Sequence, residues 1–285
     1  MSAEILSGKK LSSEIRTEVS DAVKKLQSSG INPTLAVVVA TENKSTDFYV
    51  RHIIKAADAT GIRANIILLS PSTTSIEITQ TLTKLAEDPT VHGIILQTPL
   101  PQTVNADDLR TLIPLAKDVD GANPLSAGRL ISGLPAFAPS TAAAVMEILR
   151  RYDIPLKGTN VVIIGRSRVV GKPLANLLLA ADATITICHS KTRNLAQISR
   201  TADILVVAIG KPHLINGAYI KPGSIVIDVG TNTTADGSLI GDVDPMSMQT
   251  IAGAFSPVPG GVGPVTTALL LKQTVQAASG FTPTP

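Results

Sequence analysis

The chain of 285 residues is long enough for two domains, each with a core of its own. Apolar residues make up 44% of it and aromatic residues only 2%, with no Trp, so its interior must be Ala, Val, Ile and Leu, as in parallel strands covered by helices. A formal net charge of +3, with Lys and Arg scattered along the chain, argues against nucleic acid as a partner and suits acidic small molecules.

Leu11, Ile15, Val19, Ala22, Val23 and Leu26 recur at helical spacing before Gly30, which predicts an amphipathic helix over 8–29. The period then changes. TLAVVVA (34–40) is the continuous apolar run of a strand covered on both faces, and the stretch containing FYVRHIIKAA (48–57) predicts a helix ending at Gly61. The alternation continues with ANIILL (64–69), a helix near 75–87 introduced by Thr74 and Ser75, and VHGIILQ (91–97). Residues 98–139 are rich in Pro, Gly and Asp and read as loops and short helices around a cleft, followed by a helix over 140–151.

From Asn160 the pattern restarts: NVVIIG, a helix over 170–181, TITIC, a helix over 194–200, ILVVAIG and SIVIDVG. After PVPGGVGP (257–264) a last helix is expected from Val265 to Ala278. Alternating strands and helices imply parallel sheets with right-handed crossovers. The expected fold is α/β in two domains, each a mostly parallel sheet with flanking helices. The first spans 1–139 with the C-terminal helix 265–285, and the second, Rossmann-like and NAD(P)-binding, spans 140–264.

A single cysteine, Cys188, excludes an intrachain disulfide and fits a reducing compartment. MSAEILSGKK has no signal-peptide core, and the longest apolar stretch, Leu174 to Cys188, is broken by Asn176 and Asp182. A cytoplasmic protein without a membrane partner is expected. His52, His92, His189 and His213 show no metal-ligand spacing, so no metal is expected.

Four stretches carry chemistry. VVIIGRSRVVGKP (161–173) is a strand, a glycine turn and a helix start, the arrangement by which a backbone approaches a pyrophosphate. It departs from G-x-G-x-x-G, and a plain strand–helix turn is an equal reading of it taken alone. The next strand ends in CHSKT, with His, Ser and Lys where an NAD site places an acid. Together with Arg166 this favours the 2′-phosphate of NADP. PVPGGVGP has a preset backbone that reads either as a ligand loop or as a rigid connector, and KDVDG (117–121) offers Asp118 and Asp120 either as turn caps or as ligands.

STDFYV, QTPLP, KDVDG, GRSRVVGKP, HSKT, VIDVG and PVPGGVGP occur in the order seen in one family. The chain resembles the bifunctional methylenetetrahydrofolate dehydrogenase/cyclohydrolases of the FolD type over almost its whole length. The resemblance implies a homodimer with folate held in a cleft between two α/β domains, NADP as cofactor and tetrahydrofolate one-carbon derivatives as substrates. It assigns Tyr49 to aligning the pterin, Gln97 to supporting the catalytic group and Asp120 to the pterin edge. Pro259, Gly260 and Gly261 would also touch substrate, and Gly165, Arg166, Ser167, Gly171, Ser190 and Thr231 would contact the cofactor.

One departure matters. The family pattern is Y-V-x-x-K, and here the fourth position after Tyr49 is Ile53. Four residues advance about 400° on a helix, so the position shares the wall of Tyr49, but Ile53 moves no proton. Lys55 falls about 240° around from Tyr49, and His52 about 60° from it on the side away from position 53. His52 is therefore the nearer substitute, although a rim histidine is the plainer reading of it. The expected activity is NADP-dependent methylenetetrahydrofolate oxidation with the cyclohydrolase step weakened or lost. The alternatives are a fully bifunctional enzyme, a non-catalytic folate- or nucleotide-binding paralogue, or a dehydrogenase of another substrate.

Overall fold

The structure, a computed structural model, describes residues 2–234 and 236–281. In chain order the strands are β1 (Glu4–Ile5), β2 (Thr34–Val39), β3 (Arg63–Leu68), β4 (Gly93–Leu96), β5 (Asn160–Ile164), β6 (Thr184–Cys188), β7 (Ile204–Val207), β8 (Ile225–Asp228), β9 (Asn232–Thr233), β10 (Leu239–Ile240) and β11 (Ala254–Phe255). The helices are α1 (Gly8–Ser28), α2 (Lys44–Thr60), α3 (Ser75–Glu87), α4 (Ala106–Arg110), α5 (Pro124–Ile131), α6 (Ser140–Arg151), α7 (Gly171–Ala180), α8 (Leu195–Ser199), α9 (Pro245–Ile251) and α10 (Val262–Ala278). They fall into two compact units, Ser13–Ser140 with Thr267–Pro285, and Met1–Ser12 with Thr141–Thr266.

The first unit holds a three-stranded parallel sheet in the order β3-β2-β4. All six residues of β2 are buried, as its unbroken apolar run demands of a central strand. Thr74 starts α3 with a reciprocal cap: its Oγ1 accepts from the Glu77 N–H at 3.3 Å, and its own N–H donates to Glu77 Oε2 at 2.7 Å. Replacing Thr74 with alanine should cost about 1 kcal/mol, read as a lower denaturant midpoint for this unit.

The second unit holds a six-stranded parallel sheet in the order β1-β11-β8-β7-β5-β6, with β9 and β10 as a separate antiparallel pair. Counting from β5, five of its strands run 2-1-3-4-5, a doubly wound order.

Residues 2–12 were expected with the first-half domain and instead belong to the six-stranded unit. β1 pairs in parallel with β11, Glu4 opposite Ala254 and Ile5 opposite Phe255. Two-residue strands carry no periodicity of their own, so this pairing had no signal in the sequence. The last helix starts at Val262 rather than Val265, because Pro264 sits in its first turn, where a missing N–H costs nothing. Residue 1 and residues 282–285 of the expected domain limits lie outside the described residues. No helix among the described residues is long and apolar enough to cross a membrane.

Candidate functional site

In the three-stranded unit β2 lies between β3, which follows it in sequence, and β4, so the chain reverses its direction of winding between β2 and β4. Ligands of open α/β sheets bind outside the carboxyl ends of the strands at such a point. Gln97 follows the last residue of β4 there, its N–H donating to the Val38 carbonyl at 2.9 Å and its Nε2 to the Thr98 carbonyl at 2.9 Å.

The helix after β2 is α2, started by Asn43, whose Oδ1 accepts from the Thr46 N–H at 3.4 Å. Its buried face is Thr46, Val50, Ile53, Ala57 and Thr60, with Tyr49 partly buried at the edge. Ile53 is 0% exposed. His52 and Lys55 are exposed, as is Arg51. The His52 ring lies against Phe48, centroids 4.2 Å apart, and its Nδ1 is 2.9 Å from the Phe48 carbonyl oxygen.

The KDVDG loop packs on the same sheet. A Cβ on Gly93 of β4 would come within 2.8 Å of the Val119 side chain. The two aspartates, indistinguishable in sequence, have different surroundings. Asp118 is fully buried and accepts from the N–H groups of Ala122 at 2.9 Å and Asn123 at 3.0 Å and from the Ser126 hydroxyl at 2.6 Å. It is consumed in shaping the loop. Lys117 is likewise structural, its Nζ donating to the carbonyls of Leu85, Ala86 and Asp88 at the end of α3.

Asp120 bonds with Ser140, and burial, reinforced by repulsion from Asp118, pushes its carboxyl up to about 6. The phenol of Tyr49 is pushed up as well, by burial and then by the Asp120 carboxylate. The structure therefore brings Tyr49 and Asp120 into one electrostatic environment, and does not turn His52 onto the buried face of α2.

A raised carboxyl value favours the protonated form in the fold. That stabilisation is fully present below the ordinary value of 3.8 and is lost as pH rises through about 6. Asp118, raised to about 6 chiefly by burial, and Asp228 of the other unit, raised alike, act in the same window.

In the six-stranded unit the winding reverses between β5 and β7. Gly165 follows β5 with φ +132°, and a Cβ there would lie 2.3 Å from the Ala208 carbonyl oxygen beyond β7. A Cβ on Gly171, at the start of α7, would lie 2.1 Å from the Gly165 carbonyl oxygen. Both positions admit only glycine, and together they form a bare backbone cradle at a helix N-terminus, suited to a pyrophosphate. Ser167 Oγ accepts from the Val170 N–H at 3.1 Å and braces that turn.

At the end of β6 the turn is closed by Thr192, whose Oγ1 accepts from the His189 N–H at 2.9 Å, leaving Ser190 and Lys191 exposed. Arg166 and Thr231 are exposed too. With no acid at the β6 end, these residues fit NADP better than NAD.

Pro259, Gly260 and Gly261 belong to this unit. Pro259 is exposed and both glycines are buried, Gly260 at φ +106° with its carbonyl accepting from the Lys9 N–H at 3.0 Å. The residues that sequence reasoning passed over are Asp228 and Asp242, buried carboxylates whose D-V-G and G-D settings read as ordinary turns.

Residues 6–120 match the family described as "Tetrahydrofolate dehydrogenase/cyclohydrolase, catalytic domain", and residues 139–281 match its "NAD(P)-binding domain". "Bifunctional protein FolD 1" of Saccharopolyspora erythraea is 53% identical over 278 residues, 98% of this chain and 95% of that protein. Among solved structures, the bifunctional FolD methylenetetrahydrofolate dehydrogenase/cyclohydrolase of Campylobacter jejuni is 39% identical with a TM-score of 0.96, covering 98% of this chain and 99% of that one. The Trypanosoma brucei FolD, solved with NADP and an inhibitor, is 36% identical with a TM-score of 0.94, covering 98% of each chain. The chain is a member of the tetrahydrofolate dehydrogenase/cyclohydrolase family, with both of the family's domains present.

Proposed function

We propose that this enzyme oxidises methylenetetrahydrofolate to methenyltetrahydrofolate with NADP and has lost most or all of the cyclohydrolase step that would follow. The oxidation rests on the family's two domains, both matched in this chain. NADP, when bound, accepts the hydride that leaves the methylene carbon. Gly165, Arg166, Ser167, Gly171, Ser190 and Thr231 hold it, Arg166 with the exposed end of β6 taking the 2′-phosphate. Tyr49 stacks on and aligns the pterin, Asp120 accepts from the pterin edge, and Gln97 supports the reacting region. The Pro259–Gly261 backbone completes the substrate contacts. Hydride transfer needs position more than proton exchange, so it survives an apolar residue at 53.

The observation that carries the second half is Ile53. The family's lysine position is filled by a fully buried hydrocarbon on the face of α2 beside Tyr49, while His52 and Lys55 are exposed. Positioned acid–base groups are worth about 10²–10⁴-fold, and none replaces the lysine on that face. The names of the relatives favour a second reading, full bifunctionality, in which Lys55 or His52 reaches the reacting ring. The support for a cytoplasmic location is Cys188, a free, buried thiol suited to a reducing compartment. Assembly as a homodimer follows the family resemblance, and light scattering of the purified protein tests it.

Purified enzyme with methylenetetrahydrofolate should reduce NADP with a kcat/KM well above that for NAD. Equal use of NAD, or no reduction of either, would refute the cofactor assignment. With Asp120 as the pterin acceptor, the folate KM should rise below about pH 6 as its carboxyl protonates. Asp120→Asn should raise the folate KM throughout and flatten that limb. A limb that persists in Asp120→Asn would assign it to another group.

A further inference from the structure

Beyond the residues assigned to NADP, the six-stranded unit contains a carboxylate hydrogen-bonded to the segments that follow β7 and β8. Asp242 is 0% exposed, and three successive backbone N–H groups donate to it. Ile209 and Gly210 donate to Oδ2 at 2.7 and 2.9 Å, and Lys211 to Oδ1 at 2.7 Å. Such a run of N–H groups is an anion-binding concavity. Here it is filled from within the protein, so it is not left for a phosphate. The segment so held begins next to Ala208, whose carbonyl oxygen is the atom that excludes a side chain at Gly165.

The same carboxylate reaches the second wall. Asn232 Nδ2 donates to Oδ1 at 2.9 Å, one residue after Thr231. A Cβ on Gly230 would lie 2.3 Å from the Asp242 carboxyl carbon, so the loop after β8 rests directly on it. Asp242 is itself held by Asp228, whose Oδ1 accepts from the N–H groups of Gly230 at 2.8 Å and Asp242 at 3.1 Å, and whose Oδ2 accepts from Val243 at 3.0 Å. A Cβ on Gly241 would lie 1.9 Å from that Oδ2. The two carboxylates interlock, Asp242 closed over by Gly230, two residues after Asp228, and Asp228 by Gly241, which precedes Asp242.

We infer that Asp242 is a positioning residue of the cofactor site, its carboxylate joining the turn 209–211 after β7 to the loop 230–232 after β8 so that both walls keep the shape NADP requires. The inference rests on the NADP reading of this unit. Asp242→Asn keeps one acceptor oxygen and turns the other side into a donor that faces backbone N–H groups. Asn232→Ala removes one charge-assisted bond and leaves the carboxylate in place.

The test is NADP affinity by titration calorimetry, with the folate KM and the melting temperature measured on the same preparations. Asp242→Asn should weaken NADP binding by more than about tenfold and Asn232→Ala by about three- to tenfold, with the folate KM within about twofold of wild type. If Asp242→Asn does not fold, the Asn232→Ala result decides. NADP affinity unchanged in folded variants, or NADP and folate parameters worsening in parallel, would overturn the positioning role. A wild-type protein that does not bind NADP would overturn the cofactor reading and this inference with it.

Discussion

Replacing Ile53 with lysine should raise the cyclohydrolase rate by about 10²- to 10⁴-fold, the usual worth of one positioned acid–base group. Ile53 is fully buried on the α2 face that carries Tyr49 at its edge. A lysine there would be partly desolvated, which lowers the pKa of an amine toward the range where it exchanges protons at neutral pH. The same desolvation should lower the melting temperature, because Ile53 gives up well-packed apolar contacts. Ile53→Met separates the two effects: it keeps an apolar side chain of similar volume and should leave the cyclohydrolase rate where it is. A wild-type rate in the folded lysine variant would mean that another residue already supplies the proton.

Gly165→Ala should weaken NADP binding by about ten- to a hundredfold. Its Cβ would meet the Ala208 carbonyl oxygen at 2.3 Å, and φ of +132° is a conformation that side chains rarely adopt. Strain of about 1–3 kcal/mol at such a position is relieved only by separating the ends of β5 and β7, the crevice to which the cofactor is assigned above. Each 1.4 kcal/mol transferred to binding is about tenfold in affinity. Cofactor titration of the alanine variant checks this, and an unchanged affinity would place NADP away from the β5–β7 crevice.

The parts of this fold that were legible in the sequence are those with local causes. β2 and β5 show as continuous apolar runs because buried parallel strands have no solvent face, and Thr74 with Glu77 announces α3 through its reciprocal cap. β1 and β11 were not legible. Each is two residues long, and they exist through pairing some 250 positions apart, which also explains why residues 2–12 belong to the six-stranded unit.

The site shows the same division. Glycines at 165 and 171 could be suspected from their place between a strand and a helix, and the close approaches that require them are visible only in three dimensions. Asp118 and Asp120 flank Val119 in one short loop, and only the hydrogen bonds from Ala122, Asn123 and Ser126 separate a loop-shaping carboxylate from one beside Tyr49. Asp242 could not have been found by spacing, since its partners at 209–211 lie about thirty residues upstream.

A missing lysine is informative because its neighbourhood is otherwise intact. Tyr49, Gln97 and Asp120 are present, and the cofactor unit matches its family through residue 281. Under the function proposed above, the two activities separate at a single position. The most direct measurement follows the methenyl product spectroscopically after the purified wild-type enzyme has formed it from methylenetetrahydrofolate and NADP. Its decay should be no faster than in buffer without protein, whereas decay that accelerates in proportion to enzyme concentration would contradict the assignment of Ile53 as the cause of a lost cyclohydrolase step.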